Sequence, residues 1–148
     1  MQGTFYAAVA IGALIAVGPE AGHPAVALRA PSDSGVGAKL LGSWVGTRFD
    51  ANAAAGHKFT MSWRRDTSNA LTGVVTMNGS SYPVRVVWSS DTGFVTESAP
   101  HQSTSLKEKV VTRTVSHFKG DSLFGTFEAR PMSYQGKTQQ GHFSAHKG

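Results

Sequence analysis

Apolar and polar positions alternate with a period of two through most of the chain after about residue 40, and turn residues break the alternation every 10 to 15 positions. Side chains on a strand point alternately to its two faces, so this is the pattern of an antiparallel β-meander. The first strand is read from Leu41 to Asp50. The second, His57 to Arg65, is the cleanest: Phe59, Met61 and Trp63 fall on one face, Lys58, Thr60, Ser62 and Arg64 on the other. Asp66 to Asn69 turns the chain into a third strand, Leu71 to Met77. Asn78-Gly79 then marks a tight hairpin, because a type I′ turn needs positive φ at both central residues.

The fourth strand places Tyr82, Val84, Val86 and Trp88 in one phase. Ser89 to Gly93 turns into a fifth, Phe94 to Ser98, and Ala99 to Ser103 reads as a loop. A long sixth strand runs from Leu106 to Phe118, a seventh from Ser122 to Arg130, and an eighth from Gln139 to Lys147. Gly125-x-Phe127-x-Ala129 and Gly141-x-Phe143-x-Ala145 repeat one pattern at a spacing of 16. They read as two strands of one hairpin with matching packing needs.

Eight short antiparallel strands in chain order predict an all-β fold, an up-and-down barrel over residues 39–148, because closure removes the exposed edges of an open sheet. A β-sandwich is the runner-up. The barrel interior is expected to be filled by Trp44, Phe59, Trp63, Trp88 and Phe127, or else hollowed to hold one small ligand.

The segment before the barrel has a different character. Phe5 to Val17 is an unbroken apolar run, the length of a signal-peptide core and short of the roughly 20 residues that span a bilayer. No Lys or Arg precedes it. Residues 1–18 are read as a signal peptide or a membrane-anchor helix, with a buried helix as the third option. Residues 19–38, rich in Gly, Pro, Ala and Ser, read as a flexible linker. The barrel is therefore expected outside the cytoplasm, periplasmic or at the cell surface, tethered to a membrane or secreted if the segment is cleaved.

Gly42-Ser43-Trp44 opens the first strand and resembles the G-x-W signature of the calycins, the lipocalins and avidin-type barrels among them. The resemblance covers these three residues and the strand count. It implies an eight-stranded barrel whose closed end is plugged by Trp44, with a late basic side chain, Arg130 or Lys147, packed over it. It also implies, more distantly, binding of a small apolar ligand. The lipocalin T-D-Y motif and the biotin-site motifs of the avidin group are absent. The Gly-Thr-Phe-x-Ala ending resembles small bacterial exported proteins.

Composition narrows the chemistry. Charged residues are 16% of the chain and glycines number 17, which suits a turn-rich β protein. With no cysteine, disulfides, thiolate chemistry and an acylated-cysteine anchor are excluded. His142 and His146 share a strand face but lie about 13 Å apart, too far to share a metal unaided. No G-x-S-x-G elbow accompanies the many Ser and Thr residues, and Ser116-His117 are strand neighbours that face opposite ways. Glu97, Glu108 and Glu128 are the barrel's glutamates, each with basic neighbours. No enzyme activity, cofactor or metal is expected.

The net charge of +5 comes largely from Arg64, Arg65, Arg85, Lys107, Lys109, Arg113 and Lys119. These, Lys119 apart, form a candidate basic contact surface for lipid headgroups or an acidic partner. Nucleic acid is not expected, since Trp63 and Trp88 alternate in phase with core residues rather than standing out as stacking platforms. The expected role is a non-catalytic accessory or interaction module of a membrane complex, with a calycin-like binder of a small apolar ligand as the alternative.

Overall fold

The computed structural model describes residues 35–148. The anchor or signal segment 1–18 and most of the expected linker lie outside them. The described chain is one short helix followed by nine strands: α1 (Val36–Leu40), β1 (Gly42–Asp50), β2 (His57–Arg65), β3 (Leu71–Met77), β4 (Ser80–Ser89), β5 (Gly93–Ser98), β6 (His101–Gln102), β7 (Lys109–Lys119), β8 (Ser122–Pro131) and β9 (Gln139–Lys147). Each strand pairs antiparallel with its neighbour. β1 bonds to β9, and β5 bonds to β7, so eight strands close into a barrel and β6 is an extra two-residue strand on β7. The all-β, eight-stranded up-and-down barrel expected from the alternation is the observed fold, and it is compatible with a calycin-like architecture.

Three boundaries differ from the reading of the sequence. Residues 36–38, expected in the linker, belong to α1. Its five residues are too few to show a helical period, yet Val36 and Leu40, one turn apart, are both buried against the barrel end. The long strand β7 starts at Lys109 rather than Leu106. Ser103 accounts for the delay: its hydroxyl accepts from the Leu106 amide and its amide donates to the Glu108 carbonyl, which holds residues 103–108 in a compact loop.

The third correction concerns Trp88. Val86 pairs with Thr96 but Trp88 pairs with Val95, so Val87 is an extra residue and β4 bulges there. A one-residue slip sends every later side chain to the other face. Trp88, expected in the core, is therefore outside and 55% exposed.

The turns obey their residues. Asn78 and Gly79 adopt φ of 52° and 76° between the paired Met77 and Ser80, the two-residue hairpin expected. At the other end of the molecule Gly120, with φ of 59°, turns β7 into β8.

The echo at 125 and 141 has a packing reason. In the β8–β9 register Gly125 faces Phe143 and Phe127 faces Gly141, so each ring lies over the other strand's glycine. Two further pairs repeat this, Gly46 with Phe59 and Gly73 with Trp63. A Cβ on Gly125 or Gly141 would stand 2.7 Å from the facing phenyl ring, and one on Gly73 2.7 Å from the Trp63 indole. Glycine is thus required here for space, and the rings take the volume it vacates.

Candidate functional site

The barrel has a sealed end and an open end, and the chain direction decides which. The β2–β3, β4–β5 and β7–β8 turns and α1 gather at one end, where β1 starts and β9 finishes. The β1–β2, β3–β4 and β8–β9 turns and the long β5–β7 connection gather at the other.

Trp44 seals the first end. It is 1% exposed, and its indole N–H donates to the Leu40 carbonyl at 2.8 Å, which ties α1 down as a lid. Its ring tilts against Phe118 at 6.1 Å, and Phe118 in turn meets Phe94 at 5.6 Å. Lys147 is the late basic residue over Trp44: its ammonium lies 4.6 Å from the ring centroid and donates to the Leu41 carbonyl. Burial lowers the Lys147 pKa. Arg130 is elsewhere, on the outer face beside Glu128.

The interior is two-sided. Phe59, Met61, Trp63, Phe127 and Phe143 project from β2, β8 and β9, while β5 and β7 contribute Thr96, Ser98, Thr112, Thr114 and Ser116. These walls enclose a cavity of about 50 Å3. The rings interlock edge to face, Phe59 on Phe143 at 5.9 Å and Trp63 on Phe94 at 6.3 Å. On the hydroxyl wall Thr96 and Thr114 bond each other, and Ser98 accepts from the Thr112 amide at 2.8 Å. The Trp63 indole N–H is buried and has no hydrogen-bond partner.

Arg48 stands where the cavity meets the mouth and lines both. Its guanidinium lies 3.5 Å from the Phe127 ring centroid, and its Nε is 3.5 Å from the Asp50 carboxylate. Gln139 donates to the other Asp50 oxygen at 2.7 Å. Burial pulls the Arg48 pKa down, with the nearby Tyr82 and the Asp50 charge opposing the shift. Across the mouth Tyr82 stacks on His101 at 3.7 Å, and His101 Nδ1 lies 3.2 Å from the Ser98 hydroxyl. Burial lowers the His101 pKa and raises that of Tyr82. A neutral imidazole and a neutral phenol at the mouth leave the Arg48–Asp50 pair as its charge.

The expected basic surface is dispersed. Arg64 and Arg65 end β2 at the sealed end, where Arg65 donates to the Asn69 carbonyl. Lys107 and Lys109 lie at the open end. Arg85 and Arg113 are on the outer wall, but the register interleaves them with acids: Arg85, Glu97, Arg113 and Glu128 form one row across β4, β5, β7 and β8. Arg85 meets Glu97 at 3.2 Å, and Glu128 accepts from Arg130 and Gln140. The row alternates in sign rather than making a cationic patch.

Beside that row, one step toward the sealed end, runs an apolar one. Trp88, Val95 and Val115 pair across β4, β5 and β7, and Phe124 on β8 lies diagonally beyond, stacked on His117. Val115 is 53% exposed. His142, on the same outer face, stacks on Phe49 at 5.2 Å. Among the described residues no three acidic, His or Cys side chains are grouped to hold a metal, and no helix is long and apolar enough to cross a membrane.

Reading the sequence missed Arg48, His101 and the outer apolar row. Arg48 had a signal: it falls in the inward phase of Trp44 and Gly46, where a cation is out of place. His101 had none, since its position depends on the β5–β7 connection folding over the mouth. Comparison with protein-family models, curated proteins and solved structures finds no match to this chain.

Proposed function

We propose that this protein is a non-catalytic, extracytoplasmic interaction module, held at a membrane by its N-terminal segment, that docks on a protein partner through the outer wall of β4, β5, β7 and β8. The observation that carries the reading is the Trp88 bulge. It takes the one tryptophan that alternation assigns to the core and places it outside, in line with Val95 and Val115. Tryptophan surrounded by aliphatic and charged neighbours is the composition of an interface centre and rim. The alternating row Arg85, Glu97, Arg113 and Glu128 supplies the polar rim and argues for a protein partner rather than lipid. The same row crosses the wall at mid-height, where a lipid-facing barrel would need an apolar belt.

The filled interior supports this reading over the alternative, a calycin-like binder of an apolar ligand of ordinary size. About 50 Å3 is well below the few hundred Å3 of a ligand pocket. Membrane fractionation followed by mild-detergent purification tests the proposal. The full chain is expected in the membrane fraction with a stoichiometric partner, and a chain lacking residues 1–30 is expected to leave that fraction. Trp88→Ser and Val115→Ser should each cut co-purification at least about tenfold, the scale of a central interface residue. A partner retained undiminished by both variants, or a monomeric full chain in the soluble fraction, overturns it.

A further inference from the structure

The barrel interior holds donor capacity that the fold does not use, and this is independent of the outer wall. Trp63 is 3% exposed, lines the cavity and leaves its indole N–H without an acceptor. An indole can only donate. A buried donor left unpaired is costly, which makes the neighbouring cavity the place to look for what accepts from it. Arg48, the residue shared by cavity and mouth, is also donor-only, and its positive charge is already matched by Asp50. The hydroxyls opposite, Thr96 and Thr114, are satisfied by each other. The unmet demand inside is thus for an acceptor and not for a counter-charge.

The remaining walls set size and polarity. Phe59, Met61, Phe94 and Phe143 surround the cavity with apolar surface. Its volume of about 50 Å3 is a third of the ~150 Å3 that admits benzene. We propose that the barrel interior is a binding site for a small neutral carbonyl compound, of the size of acetone, whose oxygen accepts the Trp63 indole N–H. The methyl groups then lie against the phenyl rings, and entry is past Arg48 and Tyr82 at the mouth. A carboxylate is disfavoured because Asp50 already neutralises Arg48. A hydrocarbon is disfavoured because it leaves the indole unpaired.

The test uses the full chain, acetone as probe and xenon as the apolar counterpart that fills dry cavities. The indole N–H resonance of Trp63, assigned by its loss in Trp63→Phe, is followed during titration. Acetone is expected to shift it saturably, with a dissociation constant on the order of millimolar for so few atoms. Trp63→Phe should weaken acetone at least fivefold, read from the methyl resonances of Met61, and leave xenon binding within twofold. No saturable shift, equal weakening of both probes, or a long-lived water on the indole that acetone does not displace would each overturn the site.

Discussion

The two halves of this barrel solve the same packing problem in opposite ways. From β8 through β9 and β1 to β3, the inward positions pair an aromatic ring with a facing glycine: Phe143 with Gly125, Phe127 with Gly141, Phe59 with Gly46, Trp63 with Gly73. On β5 and β7 the inward positions below Phe94 are Thr96, Ser98, Thr112, Thr114 and Ser116, and the apolar residues Val95 and Val115 face outward. The difference follows from geometry. Rings that lie across glycines reach to the barrel axis, so the opposite wall has room only for short side chains. Short side chains that are also hydroxyls then need partners, and Thr96 with Thr114 and Ser98 with the Thr112 amide supply them. One half buries apolar area and the other satisfies hydrogen bonds. That frees the outer face of the second half to carry apolar residues.

The plug is common to both halves and its loss is the largest effect expected. Trp44 is held by Leu40 from below, Lys147 from above and Phe118 from the side. Trp44→Ala should cost about 3–5 kcal/mol, by lost transfer energy and the cavity left behind. Denaturant unfolding measures it. A loss below about 1 kcal/mol would mean the end is closed by something other than this ring.

The ring-and-glycine half is next. In Gly141→Val the new Cβ meets the Phe127 ring at 2.7 Å and the Phe49 carbonyl more closely still, and the backbone cannot yield as a side-chain tip can. Overpacking of this kind costs about 1–3 kcal/mol. Pairing the substitution with Phe127→Leu should relieve only the part due to the ring. Complete rescue would show that the strand contact does not matter.

The hydroxyl half should respond differently. Thr114→Val removes one hydroxyl and strands that of Thr96, at a cost of about 1–2 kcal/mol. Thr96→Val with Thr114→Val removes both and should recover most of the loss, since the pair is nearly isosteric with two valines. A double variant as unstable as the sum of the singles would contradict the account of that wall.

The extent to which this was legible in the sequence divides along the same line. β2, β8 and β9 show strong alternation of large apolar against polar residues, so their limits and faces could be read directly. The G-x-F-x-A echo carried the reciprocal packing of the β8–β9 hairpin. β7 resisted, because both of its phases are mixed: Val110 shares a face with Thr112, Thr114 and Ser116, and Val111 and Val115 share theirs with Arg113 and His117. Hydropathy cannot choose between such faces; the ring volume from the other half does. The bulge in β4 was hidden for a related reason. Val86 and Val87 are consecutive and alike, so nothing marks which one is the extra residue. Arg48 was visible as a cation in an inward phase, whereas the mouth around His101 depends on a connection whose path alternation does not encode.

The smallest effect on stability belongs to the residue that matters most to the proposed interface. Trp88 is 55% exposed and its bulge is specified by backbone pairing on either side, Val86 with Thr96 and Trp88 with Val95. Its side chain contributes outside the core, over Val95. Trp88→Ser should therefore change unfolding free energy by no more than about 0.5–1 kcal/mol, the range of a surface substitution that uncovers little. That contrasts with the several kcal/mol expected at Trp44, a tryptophan of equal size. If Trp88→Ser unfolds the barrel as readily as Trp44→Ala, the ring is structural and the outer row is a satellite of the core. If stability holds while association falls, a large aromatic side chain is being kept in water at no benefit to the fold, and its use lies in what it meets.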